Sequence, residues 1–117
     1  MSIRIYGISQ CSTVKTARQW LAEQHISAEF IDFKKTPPAT TDIQFWLTQI
    51  PKEILINRKG TTWRKLSTNE QQNALSSNEA AIHLMINQPS VIKRPVLVNN
   101  QRVLVGFDAQ QYTEFLA

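Results

Sequence analysis

Near the N-terminus, Ile3, Ile5 and Ile8 alternate with polar or small residues, and Gly7 interrupts the run. This period-two pattern of β-branched residues predicts a strand ending near Tyr6. The period then changes: from Ser12 onward Val14, Ala17 and Leu21, with Trp20 alongside, fall at helical spacing, while Lys15, Arg18 and Gln19 take the other faces. An amphipathic helix to about Gln24 is expected. In "AEFIDF", Phe30 and Asp32 alternate against Ile31 and Phe33. That is a second strand, joined to the first by a helical crossover and therefore parallel to it.

After "KKTPPATT", where Pro37 and Pro38 stop any helix and Thr40 or Thr41 can cap the next one, Ile43, Trp46, Leu47 and Ile50 take i, i+3, i+4 and i+7 positions. Pro51 is expected to close that helix. "INRKGTTWRKL" reads as a polar, basic loop turning at Gly60, and "LSTNEQQNAL" as a short, weakly apolar helix. Ser76 with Glu79 three residues later has the form of a capping box, opening a helix through Ala80, Ile82, Leu84, Met85 and Ile86 to about Gln88. "PVLV" and "RVLV" flank "NNQ", which is hairpin chemistry because Asn tolerates the left-handed backbone region. "DAQQYTEFLA" is a final helix capped by Asp108. The order is βαβ, a helical block, then ββα: an α/β chain forming one domain over 1–117, with a helical insertion at about 40–90.

A length of 117 residues with 42% hydrophobic and 19% charged positions suffices for a core without disulfides or structural metal. The N-terminus lacks a basic segment followed by an apolar run, and no apolar stretch approaches the ~20 residues that cross a bilayer. A cytoplasmic location and no membrane partner are expected. Thirteen Lys and Arg against nine Asp and Glu leave a net charge of +4, but the cations are scattered, in runs no longer than two. Nucleic acid is therefore not an expected partner. One cysteine cannot form an intramolecular disulfide, and with two histidines it matches no zinc template. The expectation is a monomer with no metal and no tightly bound cofactor.

The single cysteine, Cys11, stands between the first strand and the first helix. A thiol is a nucleophile only when ionised, and unpaired N–H groups with the positive end of the macrodipole favour ionisation just before a helix. Free cysteines are often buried fillers. Polar Gln10, Ser12 and Thr13 around this one favour a reactive thiol. Ser12 and Thr13 can donate hydroxyl hydrogen bonds, and Lys15 and Arg18 lie near the cysteine's azimuth if the helical phase extends back to it. Two familiar arrangements are absent: position 14 is Val14 where a Cys-x-x-Cys pair needs cysteine, and position 17 is Ala17 where a Cys-x5-Arg loop needs arginine. In "VIKRPVLV", Arg94 and Pro95 precede a strand; Pro95 is either a cis-proline beside the nucleophile or a plain strand-starting trans one. His25 and His83 adjoin no motif and are weak candidates for bases.

"YGISQCSTVKTARQWL", "EFIDFKK", "RKGTTWRKL" and "VIKRPVLV" with "RVLVGF", in that order along nearly the whole chain, resemble the arsenate reductase-like (ArsC/Spx) family of the thioredoxin-like superfamily. The resemblance implies a thioredoxin-like fold, Cys11 as nucleophile, and Arg94 as anion-binding arginine beside a cis-proline at Pro95. True arsenate reductases hold the oxyanion with further arginines. Around the loop this chain has Arg58 and Arg64, but after the last strand it has Gly106 and Phe107 instead. Arsenate as substrate is thereby put in doubt. The regulatory branch that binds RNA polymerase often carries a Cys-x-x-Cys switch, which Val14 removes. The "RKGTTWRKL" loop is most similar to a branch of small bacterial proteins proposed to be glutathione-dependent thiol reductases. That implies glutathione as co-substrate, with glutaredoxin or a similar reductant recycling it. The alternative implied is a non-catalytic module docking onto a protein such as RNA polymerase.

Overall fold

The computed structural model describes residues 2–117. They form two compact units, one made of the chain up to Thr36 together with Arg94–Ala117, the other of Pro37–Lys93. The first unit contains β1 (Ile3–Gly7), α1 (Ser12–Glu23), β2 (Glu29–Asp32), β3 (Val96–Asn99), β4 (Arg102–Val105) and a C-terminal helix, Ala109–Phe115. The strands form one sheet in the order β2-β1-β3-β4. β1 pairs with β2 in parallel, as the helical crossover requires, and the register places Ile5 opposite Phe30 and Gly7 opposite Asp32. β3 runs antiparallel to both β1 and β4.

The period-3.6 pattern of α1 becomes its buried stripe, Val14, Ala17 and Leu21. Ala17 and Leu21 join Ile5, Leu97, Tyr112 and Phe115 in one core cluster, with Trp20 and Phe107 packed against it. The end of α1 is set by backbone geometry: His25 stands at φ 58°, its N–H donates to the Ala22 carbonyl, and the Ile26 N–H reaches back to Leu21. This is a Schellman closure, in which glycine is the usual residue at the position His25 holds. Asn100 at φ 57° turns the β3–β4 hairpin, and Asp108 accepts from the Gln111 N–H at 2.9 Å to cap the last helix. Both roles follow the sequence expectation.

The second unit holds α2 (Thr40–Leu47), α3 (Lys52–Leu55), α4 (Thr61–Arg64), α5 (Thr68–Leu75) and α6 (Asn78–Asn87), followed by a 3-10 turn at Pro89–Val91. The C-terminal helix of the first unit is α7. Four expectations are corrected here. Neither Thr40 nor Thr41 caps α2: the N-cap is Ala39, with no side-chain bond, because burial of Ile43 and Trp46 sets the register. That helix ends at Leu47, and Pro51 caps the start of α3 instead of closing α2. The "RKGTTWRKL" segment is not all loop, since α4 turns Trp63 inward to 6% exposure and Gln71 donates to the Trp63 carbonyl at 2.9 Å. The N-cap of α6 is Ser77 rather than Ser76. Ser76 is helical (φ −73°, ψ −25°) and its hydroxyl donates back to Asn73, whereas Ser77 is extended (φ −159°, ψ 161°) and accepts from the Ala80 N–H at 3.0 Å. An N-cap needs extended backbone, so only Ser77 can serve. The full capping box belongs to α5, where Ser67 and Glu70 satisfy each other's backbone N–H groups at 3.1 and 2.9 Å. Among the described residues no helix is long and apolar enough to cross a membrane.

Candidate functional site

The site begins where β1 stops. Cys11 is the N-cap residue of α1, with extended backbone (φ −73°, ψ 126°). Its N–H donates to the Ile8 carbonyl at 3.0 Å, and its own carbonyl accepts the first helical bond from Lys15 at 3.0 Å. These bonds fix the Cα, and the side chain is left beside the open N–H groups of the first turn. The thiol makes no regular cap bond, as suits a weak acceptor; the thiolate is the form those donors favour. Burial of the half-exposed sulfur pushes its pKa up, but the Val14 N–H, the Arg94 side chain and the Thr13 N–H outweigh this and hold the thiol below its ordinary value. Such an environment favours the thiolate over the thiol.

Gly7 makes this arrangement possible. A Cβ there meets Val14 Cγ2 at 2.7 Å, so only glycine lets the first turn of α1 lie this close to the strand end. Asp32, opposite Gly7 in the register, is 9% exposed and anchors the adjoining turn. The Lys34 N–H at 2.9 Å holds its carboxyl below the usual range against the effect of burial, and the Ser9 hydroxyl and N–H act in the same direction. Lys34 Nζ also donates to Gln10 at 3.3 Å. The loop entering Cys11 is thus tied to the end of β2. Sequence reading passed over both Gly7 and Asp32: the glycine read as a strand terminator and the aspartate as one member of an alternation.

Of the residues singled out from the sequence, the fold brings Cys11, Thr13 and Arg94 together, with Pro95 next to the arginine through a cis peptide bond. Thr13 contributes its backbone N–H. Ser12 is exposed, and its carbonyl accepts from Thr16 Oγ1 at 3.0 Å. The Lys15 side chain is exposed. Arg18 lies with its guanidinium 3.9 Å from the centre of the Phe30 ring, a cation–π contact that gives it a partner other than the thiol. Arg58 and Arg64 belong to the helical unit and are both exposed. His83 is exposed and bonded to Asn87 at 3.1 Å. Among the described residues, no group of three or more His, Cys, Asp or Glu side chains is arranged to hold a metal ion.

A mixed sheet with a βαβ start and a ββα finish, a cysteine at the first helix N-terminus and a cis-proline turn whose arginine meets the sulfur together define a thioredoxin-like protein. Within that class the ArsC family model matches residues 6–115, and the chain belongs to the ArsC family. It is 38% identical to the YffB protein, whose solved structure superposes with a TM-score of 0.93 over 99% of this chain and 100% of that one. It is 40% identical to an arsenate reductase (ArsC) related protein from Brucella melitensis, with a TM-score of 0.76 and coverage of 99% and 95%. It is also 26% identical to the global transcriptional regulator Spx 2 of Lactococcus lactis, over 97% of this chain and 86% of that protein. Family and site chemistry agree on a thiol-reductase kind of function.

Proposed function

We propose that this protein is a one-cysteine, glutathione-dependent thiol reductase acting on mixed disulfides in the cytoplasm. The observation that carries the reading is the apposition of Cys11 to the Val14 N–H and the Arg94 side chain. In the first step the Cys11 thiolate attacks the glutathione sulfur of a mixed disulfide, forming a Cys11–glutathione disulfide and releasing the substrate as a thiolate. In the second, a glutathione thiolate attacks that glutathione sulfur, giving oxidised glutathione and restoring the Cys11 thiolate. The net exchange turns the mixed disulfide and one glutathione thiolate into the substrate thiolate and oxidised glutathione: the incoming glutathione sulfur is oxidised as the substrate sulfur is reduced, and an external two-electron reductant returns the oxidised glutathione to the thiol. Val14 at the position of a resolving cysteine is what calls for an external thiol.

Arg94 supplies a fixed cation for a glutathione carboxylate. An oxyanion such as arsenate is the less favoured substrate, because Gly106 and Phe107 stand where arsenate reductases place an arginine. The same feature supports a second reading, a protein-docking module like the regulators among its relatives. Alkylation of Cys11 as a function of pH, and glutathione-coupled reduction of a mixed disulfide by wild type and Cys11→Ser, separate the two. The reductase reading expects a thiol ionising below the ~8.5 of free cysteine and no turnover by the serine variant. A thiol titrating like free cysteine, or equal turnover by both proteins, rules it out.

A further inference from the structure

The buried phenol of Tyr112 takes no part in the chemistry above, yet hydrogen bonds connect it to the site. Tyr112 is 0% exposed, and its hydroxyl donates to the Gly106 carbonyl at 2.8 Å. Burial raises the phenol's pKa well above its ordinary value of 10.0, so it stays protonated and donates throughout the pH range in which the thiol works. Gly106 sits at φ 82°, a conformation that only glycine adopts cheaply, and its N–H donates to the Pro95 carbonyl at 2.9 Å. Pro95 is buried and directly follows Arg94, whose side chain meets the Cys11 sulfur. A relay of two hydrogen bonds therefore runs from α7 to the residue next to the arginine.

The relay matters because an arginine side chain is long and rich in rotamers, so its charge stays in place only if its backbone does. Displacement of a catalytic group by about 1 Å is enough to lose much of its effect. Without the phenol, the buried Gly106 carbonyl must turn toward another donor, and glycine has the backbone freedom to let it. We propose that Tyr112 is a positioning residue for the thiol site: its hydroxyl holds Gly106, and through it Pro95, so that Arg94 keeps its place against Cys11. The inference rests on the reading of Cys11 as the nucleophile. The ring has a separable packing role, edge-on to Phe107 at 4.9 Å and to Trp20 at 5.7 Å. Tyr112→Phe keeps those contacts and removes only the donor.

The experiment is the rate of Cys11 alkylation by iodoacetamide against pH for wild type, Tyr112→Phe, Arg94→Ala and the double variant. Tyr112→Phe is expected to move the profile to higher pH and slow alkylation at neutral pH by roughly threefold. Arg94→Ala moves it further, and adding Tyr112→Phe to Arg94→Ala adds nothing, because the hydroxyl acts through the arginine. 4-Fluorophenylalanine at position 112 fills the hydroxyl's space without donating and gives the same profile as Phe, which covers poor packing of the plain variant. A wild-type profile for either substituted protein, or an equal slowing with and without Arg94, overturns the positioning role and leaves the nucleophile reading intact. A wild-type thiol that titrates like free cysteine overturns both.

Discussion

Substituting Gly7 by alanine tests the geometry on which the thiol depends. The new methyl carbon lies 2.7 Å from Val14 Cγ2 and 3.3 Å from Cγ1. Carbon atoms pack best at about 3.5–4.0 Å, so the nearer contact is short by about 1 Å. Neither side yields easily. Gly7 is held in register opposite Asp32, and its carbonyl accepts the Phe33 N–H at 2.8 Å. Val14 is 0% exposed, and its branched side chain has one preferred rotamer in a helix. The strain is therefore relieved by moving the first turn of α1 outward, at a cost of about 1–3 kcal/mol typical of overpacking. That movement takes the Val14 N–H away from the sulfur it stabilises. A charge-assisted hydrogen bond contributes about 1.5–3 kcal/mol. Losing about 1 kcal/mol of it, after solvent screening at this part-exposed sulfur, lowers the thiolate fraction at neutral pH roughly fivefold. Urea denaturation reads the first effect and the pH profile of Cys11 alkylation the second. A Gly7→Ala protein with wild-type stability and a wild-type alkylation profile refutes the argument, since both effects come from the same contact.

The lowered thiol pKa also makes stability pH-dependent. Because the folded value lies below the ordinary 9.0, the Cys11 contribution is fully present above 9.0 and is lost as pH falls through the folded value, so the stability of wild type relative to Cys11→Ser rises with pH across that window; a flat difference in denaturation midpoints from pH 5 to 9 contradicts this. His25→Gly relieves the left-handed backbone at φ 58° and stabilises by about 0.5–1 kcal/mol in urea denaturation, net of the greater freedom of glycine in the unfolded chain; a loss of stability sinks the strain argument. Ser77→Ala removes the N-cap bond of α6 and costs about 1 kcal/mol, while Ser76→Ala costs less than half as much, an order that thermal unfolding of the two variants checks directly.

Periodicity placed most elements correctly because strand and helix patterns are local. α1 was legible to within a residue from Val14, Ala17 and Leu21, and the parallel pairing of β1 with β2 followed from the crossover helix. Caps were legible where one residue alone offered the right chemistry, as with Asp108. They were misread where two adjacent serines competed: Ser76 and Ser77 differ in backbone conformation, which no composition rule reveals. The short helix Thr61–Arg64, which carries Trp63, was hidden for a similar reason. A four-residue helix is too short to show a period, so burial rather than pattern marks Trp63 as core.

The sequence by itself determined that Cys11 stands at a helix N-terminus without a resolving partner, because position 14 and the strand-to-helix change are both local facts. It marked Arg94 and Pro95 by a motif but had no means of placing them. Only the tertiary structure decided that the Arg94 side chain meets the sulfur, that Gly7 makes room for Val14, and that Tyr112 reaches Pro95 through Gly106. Each of these contacts joins elements distant in sequence, and its partners are chosen by sheet register and core packing, which no window along the chain contains.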